Sequence, residues 1–161
     1  MKTIEFAIKM ELEGQKYYLE QAEKNKENTL CEVFKRLAEE EKMHANILKK
    51  KFDSEEYELN HSTIVEDTRN VFSNLKKDFL SNEELPKQIN VYREALEIEK
   101  KSIELYSKML EESSDENDKK LFEFLIKEEN KHQFLFDDII AMLLKTDEWV
   151  EAAEFGIRKD Y

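Results

Sequence analysis

The sequence has 161 residues and a formal net charge of −12, with two Gly, one Pro and one Cys. That length suits one domain with a real core, and so few helix breakers beside abundant Glu, Lys, Leu and Ile predict helix nearly throughout. The acid excess excludes nucleic acid, the lone Cys31 excludes a disulfide framework, a structural zinc site and a rubredoxin-type iron site, and no apolar run approaches the roughly 20 residues of a membrane span.

In chain order, a first helix is predicted from about Thr3 to Asn25, and the turn KNKEN follows. Thr29 and Glu32 read as a capping box opening a second helix from about Leu30 to Phe52. Residues 53–85 form a crossover too long for a structureless loop. Thr63 and Glu66 make another capping box there, and Val65, Thr68, Phe72, Leu75 and Phe79 recur at helical spacing, so an extra helix is expected. Pro86 opens a third helix that ends near SSDEND, and Asp115 or Asn117 caps a fourth running to about Lys145. The reading is an all-α four-helix bundle over residues 1–145, followed by a short helix around Trp149 and a tail over 146–161.

The two helix pairs are repeats of each other. AIKMELEGQKYYLEQA from Ala7 overlays ALEIEKKSIELYSKML from Ala95, and FKRLAEEEKMHANIL from Phe34 overlays FEFLIKEENKHQFLF from Phe122, both at an offset of 88. Under that offset Glu11 meets Glu99, Tyr18 meets Tyr106, Glu41 meets Glu129 and His44 meets His132. Similarity by composition alone gives scattered charged coincidences, whereas the order Phe, Leu, Glu, His at one fixed shift points to duplication.

Residues on a helix advance about 100° each, so positions three, four and seven apart share a face. Glu11 then lies among Ile4, Ala7, Ile8, Gly14 and Tyr18, and Glu41 among Phe34, Leu37, Ala38, His44 and Leu48. Glu99 and Glu129 sit equivalently on the third and fourth helices. One Glu-x-x-His on a Glu-rich helix is usually structural, but two copies at the repeat offset, each matched by a helix with a core-facing Glu, call for compensating charge. Two divalent cations against Glu11, Glu41, Glu99 and Glu129, with His44 and His132 as nitrogen ligands, meet that need, and the donor set suits iron or manganese. Without metal, repulsion and burial should raise the pKa of all four carboxyls.

Tyr18 and Tyr106 also face inward, either as core fillers, as donors to a Glu ligand or as redox-active phenols. Gly14 and Ser102 stand at the positions where the other helices carry His, leaving room beside the metals or allowing close packing. Glu40 and Glu128 repeat as well but lie off the ligand line, as rim acids or supports for the ligands. His61 stands alone in the crossover and reads as a surface residue. The opening MKTIEFAIKMELEG lacks the apolar stretch of a signal peptide, so a cytoplasmic location is expected.

The order Glu, Glu-x-x-His, Glu, Glu-x-x-His with a long middle crossover resembles the ferritin-like carboxylate-bridged di-metal proteins. AIKMELEGQKYY, LAEEEKMH, ALEIEKKSIELY and LIKEENKH are most similar to the rubrerythrin branch. The resemblance implies Glu41 and Glu129 as bridges, Glu11 and Glu99 as terminal ligands, and His44 and His132 one per metal. It also implies two iron ions, with manganese as the alternative, and an oxidoreductase that reduces hydrogen peroxide or dioxygen. Electrons would come from an external rubredoxin-like protein or flavoprotein, since one cysteine cannot build a rubredoxin site. Two departures from the family weaken the peroxidase reading: that missing site, and Ser102 where typical rubrerythrins carry a further carboxylate. Lys42 stands where bacterioferritins place a haem-ligating Met, so an iron-storage shell is not favoured. A non-catalytic iron buffer or sensor is the competing function, and the oligomeric state, a homodimer included, is left open.

Overall fold

The computed structural model describes residues 2–81 and 86–154, with side chains given except at residues 2, 73, 86 and 146–154. Six α-helices account for most of them: α1 (Lys2–Lys24), α2 (Leu30–Phe52), α3 (Ile64–Asp67), α4 (Arg69–Ser81), α5 (Ile89–Glu112) and α6 (Glu116–Glu154). Among the described residues there is no strand. The duplicated pairs pack as α1 along α2 and α5 along α6, while α1 and α5 touch sparingly. This is the expected four-helix bundle with a helical crossover.

Several helix ends are built differently from the sequence reading. Neither capping box forms, because Thr29 and Thr63 make no side-chain bond to their own helix termini. Instead Oδ1 of Asn28 accepts from the Leu30 N–H at 2.9 Å, and Asp78 of α4 takes both the N–H and the hydroxyl of Thr29. The crossover thereby supplies the start of α2 with an acceptor that local sequence patterns do not reveal. Asp115 does serve the start of α6, accepting from the Asn117 N–H at 3.1 Å. Pro86 opens a 3₁₀ turn, Pro86–Gln88, that leads into α5.

The expected end of the last helix near Lys145 is not observed, since α6 continues unbroken to Glu154. The stretch TDEWVEAAE contains neither Gly nor Pro, so nothing interrupts the backbone ladder. The expected tail beyond Glu154 lies outside the described residues. The crossover has no regular secondary structure over residues 55–63 and is then helical in two pieces, broken at Thr68, whose hydroxyl donates to the Ile64 carbonyl at 2.7 Å. Ile64, Leu75 and Phe79 are buried, which docks α3 and α4 on the bundle.

The core is divided. One apolar cluster joins Tyr18, Phe34, Leu37, Leu75, Phe79, Tyr92, Phe136 and Ile139. The other joins Ala7, Leu48, Tyr106, Met109, Leu121 and Leu125. On every long helix the chain passes from one cluster to the other through a Glu: Glu11 between Ala7 and Tyr18, Glu41 between Leu37 and Leu48, Glu99 between Ala95 and Tyr106, Glu129 between Leu125 and Phe136. A polar layer therefore lies at mid-height of the bundle.

Candidate metal centre

The helical period brings all six residues singled out by the repeat into that layer. Glu11, Glu99, Glu129 and His132 have no exposed surface, and Glu41 and His44 are nearly as buried. Glu11, Glu41, His44 and Glu129 place one donor atom each within 4.8 Å of one another, and so do Glu41, Glu99, Glu129 and His132. Glu41 and Glu129 belong to both groups. Each histidine turns Nδ1 toward the acids: His44 Nδ1 lies 2.8 Å from Glu129 Oε1 and 3.5 Å from Glu11 Oε2, and His132 Nδ1 lies 3.0 Å from Glu41 Oε1 and 3.4 Å from Glu99 Oε1.

Oxygens of all four glutamates, Glu11 Oε2, Glu41 Oε1, Glu99 Oε2 and Glu129 Oε2, are buried without an aligned hydrogen-bond donor. His132 Nδ1 shares that fate despite its 3.0 Å approach to Glu41, because the ring edge and the carboxylate are not oriented as donor and acceptor. Buried unpaired oxygens each cost on the order of 1–3 kcal/mol. Orphan lone pairs converging from four helices fit a pair of cations, which accept what no protein donor reaches.

The electrostatics are not the uniform rise expected from sequence. Glu41 and Glu129 are indeed pushed well above the usual carboxylate range, by burial and then by the charges of the surrounding acids. Glu11 and Glu99 go the other way. Burial opposes their ionisation, but a hydrogen bond from Glu41, the charge of His44 and the Tyr106 hydroxyl together hold Glu11 down. For Glu99 the charge of His132, with the close approach of Glu129 and His132 and the hydrogen bond from Tyr18, outweighs burial. The shifts run pairwise: Glu41 and Glu129 rise while their neighbours Glu11 and Glu99 fall. His132 is raised well above its ordinary value, against burial, by Glu99 and Glu40.

The tyrosines bond across the repeat. Tyr18 of α1 donates to Glu99 of α5, and Tyr106 of α5 donates to Glu11 of α1 at 2.5 Å. Burial and these carboxylates push both phenols well above 10. Both are also core residues, Tyr18 stacking on Phe34 and Phe136. Gly14 and Ser102 play different parts. A Cβ on Gly14 would come within 3.0 Å of Glu41 Oε2, so the absent side chain is space that Glu41 uses. Ser102 bonds its own helix at the Ile98 carbonyl, 3.1 Å away, and reaches Met10 Sδ at 3.6 Å. Outside Gly14 lies a cavity of about 360 Å³ between α1 and α5, lined by Phe6, Met10, Tyr17, Ile98 and Leu105.

A family model described as rubrerythrin matches residues 2–140. The chain belongs to the rubrerythrin family. No curated protein and no solved structure matches it significantly. The family's ferritin-like di-iron carboxylate domain accounts for the all-helical bundle and for a buried Glu and His cluster compatible with a di-metal centre. No described helix of this rubrerythrin-family chain is long and apolar enough to cross a membrane.

Sequence reasoning saw only part of how the cluster is supported. Glu40, read as a rim acid or a support for the ligands, holds the outer nitrogen of His132, with 2.9 Å between Glu40 Oε1 and His132 Nε2. Its recurrence as Glu128 at the repeat offset was the available signal. Ser62 gave none, being one residue in an aperiodic segment, yet its hydroxyl donates to Glu40 and its N–H to Glu128. His61, read as a surface residue, is exposed, with Nδ1 3.9 Å from Glu128.

Proposed function

We propose that the chain is a di-metal oxidoreductase that reduces hydrogen peroxide or dioxygen, with iron as the working metal. The observation that carries this reading is the pair of overlapping donor groups sharing Glu41 and Glu129, with orphan carboxylate oxygens aimed between them. Glu11, Glu41, His44 and Glu129 would hold one ion and Glu41, Glu99, Glu129 and His132 the other, with Glu41 and Glu129 common to both groups. Four carboxylates neutralise two divalent ions, and the oxygen-rich set with two nitrogens favours iron or manganese. A bound pair of ferrous ions supplies two electrons, which with two protons convert hydrogen peroxide to two waters.

The residues of the chain do the rest. Tyr106 and Tyr18 fix the rotamers of Glu11 and Glu99 by their hydroxyl bonds, so the terminal carboxylates are held before any ligand arrives. The apolar clusters above and below exclude bulk water from the layer. Electrons would come from a donor outside these 161 residues, whose sole cysteine, Cys31, is buried.

Anaerobic loading with ferrous iron, followed by hydrogen peroxide and an external reductant, tests the reading. Two iron ions bound per chain and repeated cycles of oxidation and re-reduction support it. Binding of two ions with one oxidation and no turnover assigns the chain to iron buffering or sensing instead.

A further inference from the structure

The repeat predicts that the two halves of the centre are alike, and outside the ligands they are not. On one side His132 Nε2 faces Glu40 Oε1 at 2.9 Å. The other oxygen of Glu40 accepts from Arg36 Nε at 3.0 Å and from Ser62 Oγ at 2.5 Å. By the 88-residue offset, Glu128 should back His44 in the same way. It is taken elsewhere: the Ser62 N–H donates to Glu128 Oε1 at 2.6 Å, and Lys131 Nζ lies 2.7 Å from Glu128 Oε2. Lys131 also donates to the Ser62 carbonyl at 2.8 Å. Among the described residues, no hydrogen bond or ion pair reaches Nε2 of His44. Its ring instead borders a cavity of about 200 Å³ that Ser62, His61 and Phe124 help to line.

We infer that Ser62 and Glu40 are positioning residues that make the two metal positions unequal, by backing the imidazole of His132 with a carboxylate and leaving that of His44 unbacked. Ser62 spends its hydroxyl, N–H and carbonyl on tying α2 to α6, and in doing so separates the fates of two equivalent acids. A carboxylate on the outer ring nitrogen fixes the tautomer, orients the ring and makes the inner nitrogen a stronger donor, and losing such a partner typically costs about 10–100-fold in metal affinity. The ion held by His132 is therefore bound more tightly than the ion held by His44. Nothing in the repeat itself produces this difference. It comes from the crossover, which lies between the two repeated helix pairs and belongs to neither. The inference rests on the six residues forming a di-metal centre.

Cobalt(II) is a suitable probe, because its visible absorption reports stepwise filling and its paramagnetism shifts the ligand imidazole N–H protons out of the diamagnetic envelope. Wild-type protein should fill in two resolved steps. The loaded form should show one slowly exchanging imidazole N–H, from His132 against Glu40, and one exchanging fast beside the cavity, from His44. Glu40→Gln should weaken the first step by about tenfold to a hundredfold. Ser62→Ala should speed exchange of the slow N–H, and Ser62→Thr, which keeps the hydroxyl, should restore it. Two equal steps in the wild type, or equal behaviour of Ser62→Ala and Ser62→Thr with Glu40→Gln at wild-type affinity, would overturn the inference. Failure of the wild type to bind two ions at all would instead defeat the di-metal reading beneath it.

Discussion

Gly14 is separated from the Glu41 carboxylate by only the thickness of a missing methyl group: a Cβ there would sit 3.0 Å from Oε2 of Glu41. That contact ties helix packing to metal binding. Gly14→Ala should gain helix propensity of up to about 1 kcal/mol, and the clash is met by a rotatable carboxylate, so the metal-free variant should melt no lower than wild type. Metal binding should suffer, because Glu41 must leave its place in both donor groups. Thermal melts of the metal-free form, set beside metal analysis after loading, check both halves, and two ions bound at wild-type affinity would show that Glu41 has room to spare.

Tyr106→Phe and Tyr18→Phe each remove a buried donor to a carboxylate while preserving the ring. Loss of a hydrogen bond to a charged group should destabilise the metal-free protein by about 1.5–3 kcal/mol. Metal content should persist, since neither phenol is assigned as a ligand, while the rate of oxidation by peroxide changes. Unchanged rates for both variants would reduce the tyrosines to packing residues.

The acid response should reverse on metal loading. Glu41 and Glu129 are raised above the ordinary 4.5 and His132 above 6.5, so their stabilisation of the metal-free fold grows as pH falls through the raised values and is complete below the ordinary ones. Glu11 and Glu99 are lowered, so what they contribute above 4.5 is lost on further acidification. Site groups thus stabilise the metal-free protein on going from neutral down to 4.5 and destabilise it below. In the loaded form protons compete with the cations, and stability falls throughout. Melting temperatures of chelated, loaded and Glu41→Gln/Glu129→Gln protein, compared over roughly pH 7.5 to 5, should diverge in these directions. Parallel profiles would mean that the acids are solvated.

Ser54, just past α2, has φ of 59° and is exposed. A residue with a side chain pays roughly 1–2 kcal/mol for that left-handed conformation, so Ser54→Gly should stabilise the fold by about 1 kcal/mol after the greater flexibility of unfolded glycine is counted. Chemical denaturation would detect it, and a loss of stability would argue against the turn.

What the sequence revealed was whatever periodicity carries. Glu11 and Glu99 declare themselves by sitting mid-stripe, and the repeat then pairs them with Glu41, His44, Glu129 and His132. Single contacts between distant segments leave no such trace. Thr29 looked like a cap for its own helix because the pattern is local, while its partner, Asp78, is 49 residues away. The uniform rise in carboxyl pKa failed for a similar reason, since counting like charges cannot show that His44 and Tyr106 hold Glu11 down and His132 and Tyr18 hold Glu99 down. The end of α6, expected near Lys145, lies beyond it because no Gly or Pro interrupts TDEWVEAAE.

Two apolar clusters separated by a charged layer amount to two half-cores threaded on the same four rods. In the metal-free chain the layer is the seam where cooperativity is weakest, so amide exchange should distinguish an upper and a lower unit that open separately, with each of the four rods contributing to both. Cations that bind glutamates from all four rods would rivet that seam shut, and the two exchange classes should merge into one. A loaded centre would then be a structural fastener, and its loss would show first as a change in how the molecule breathes.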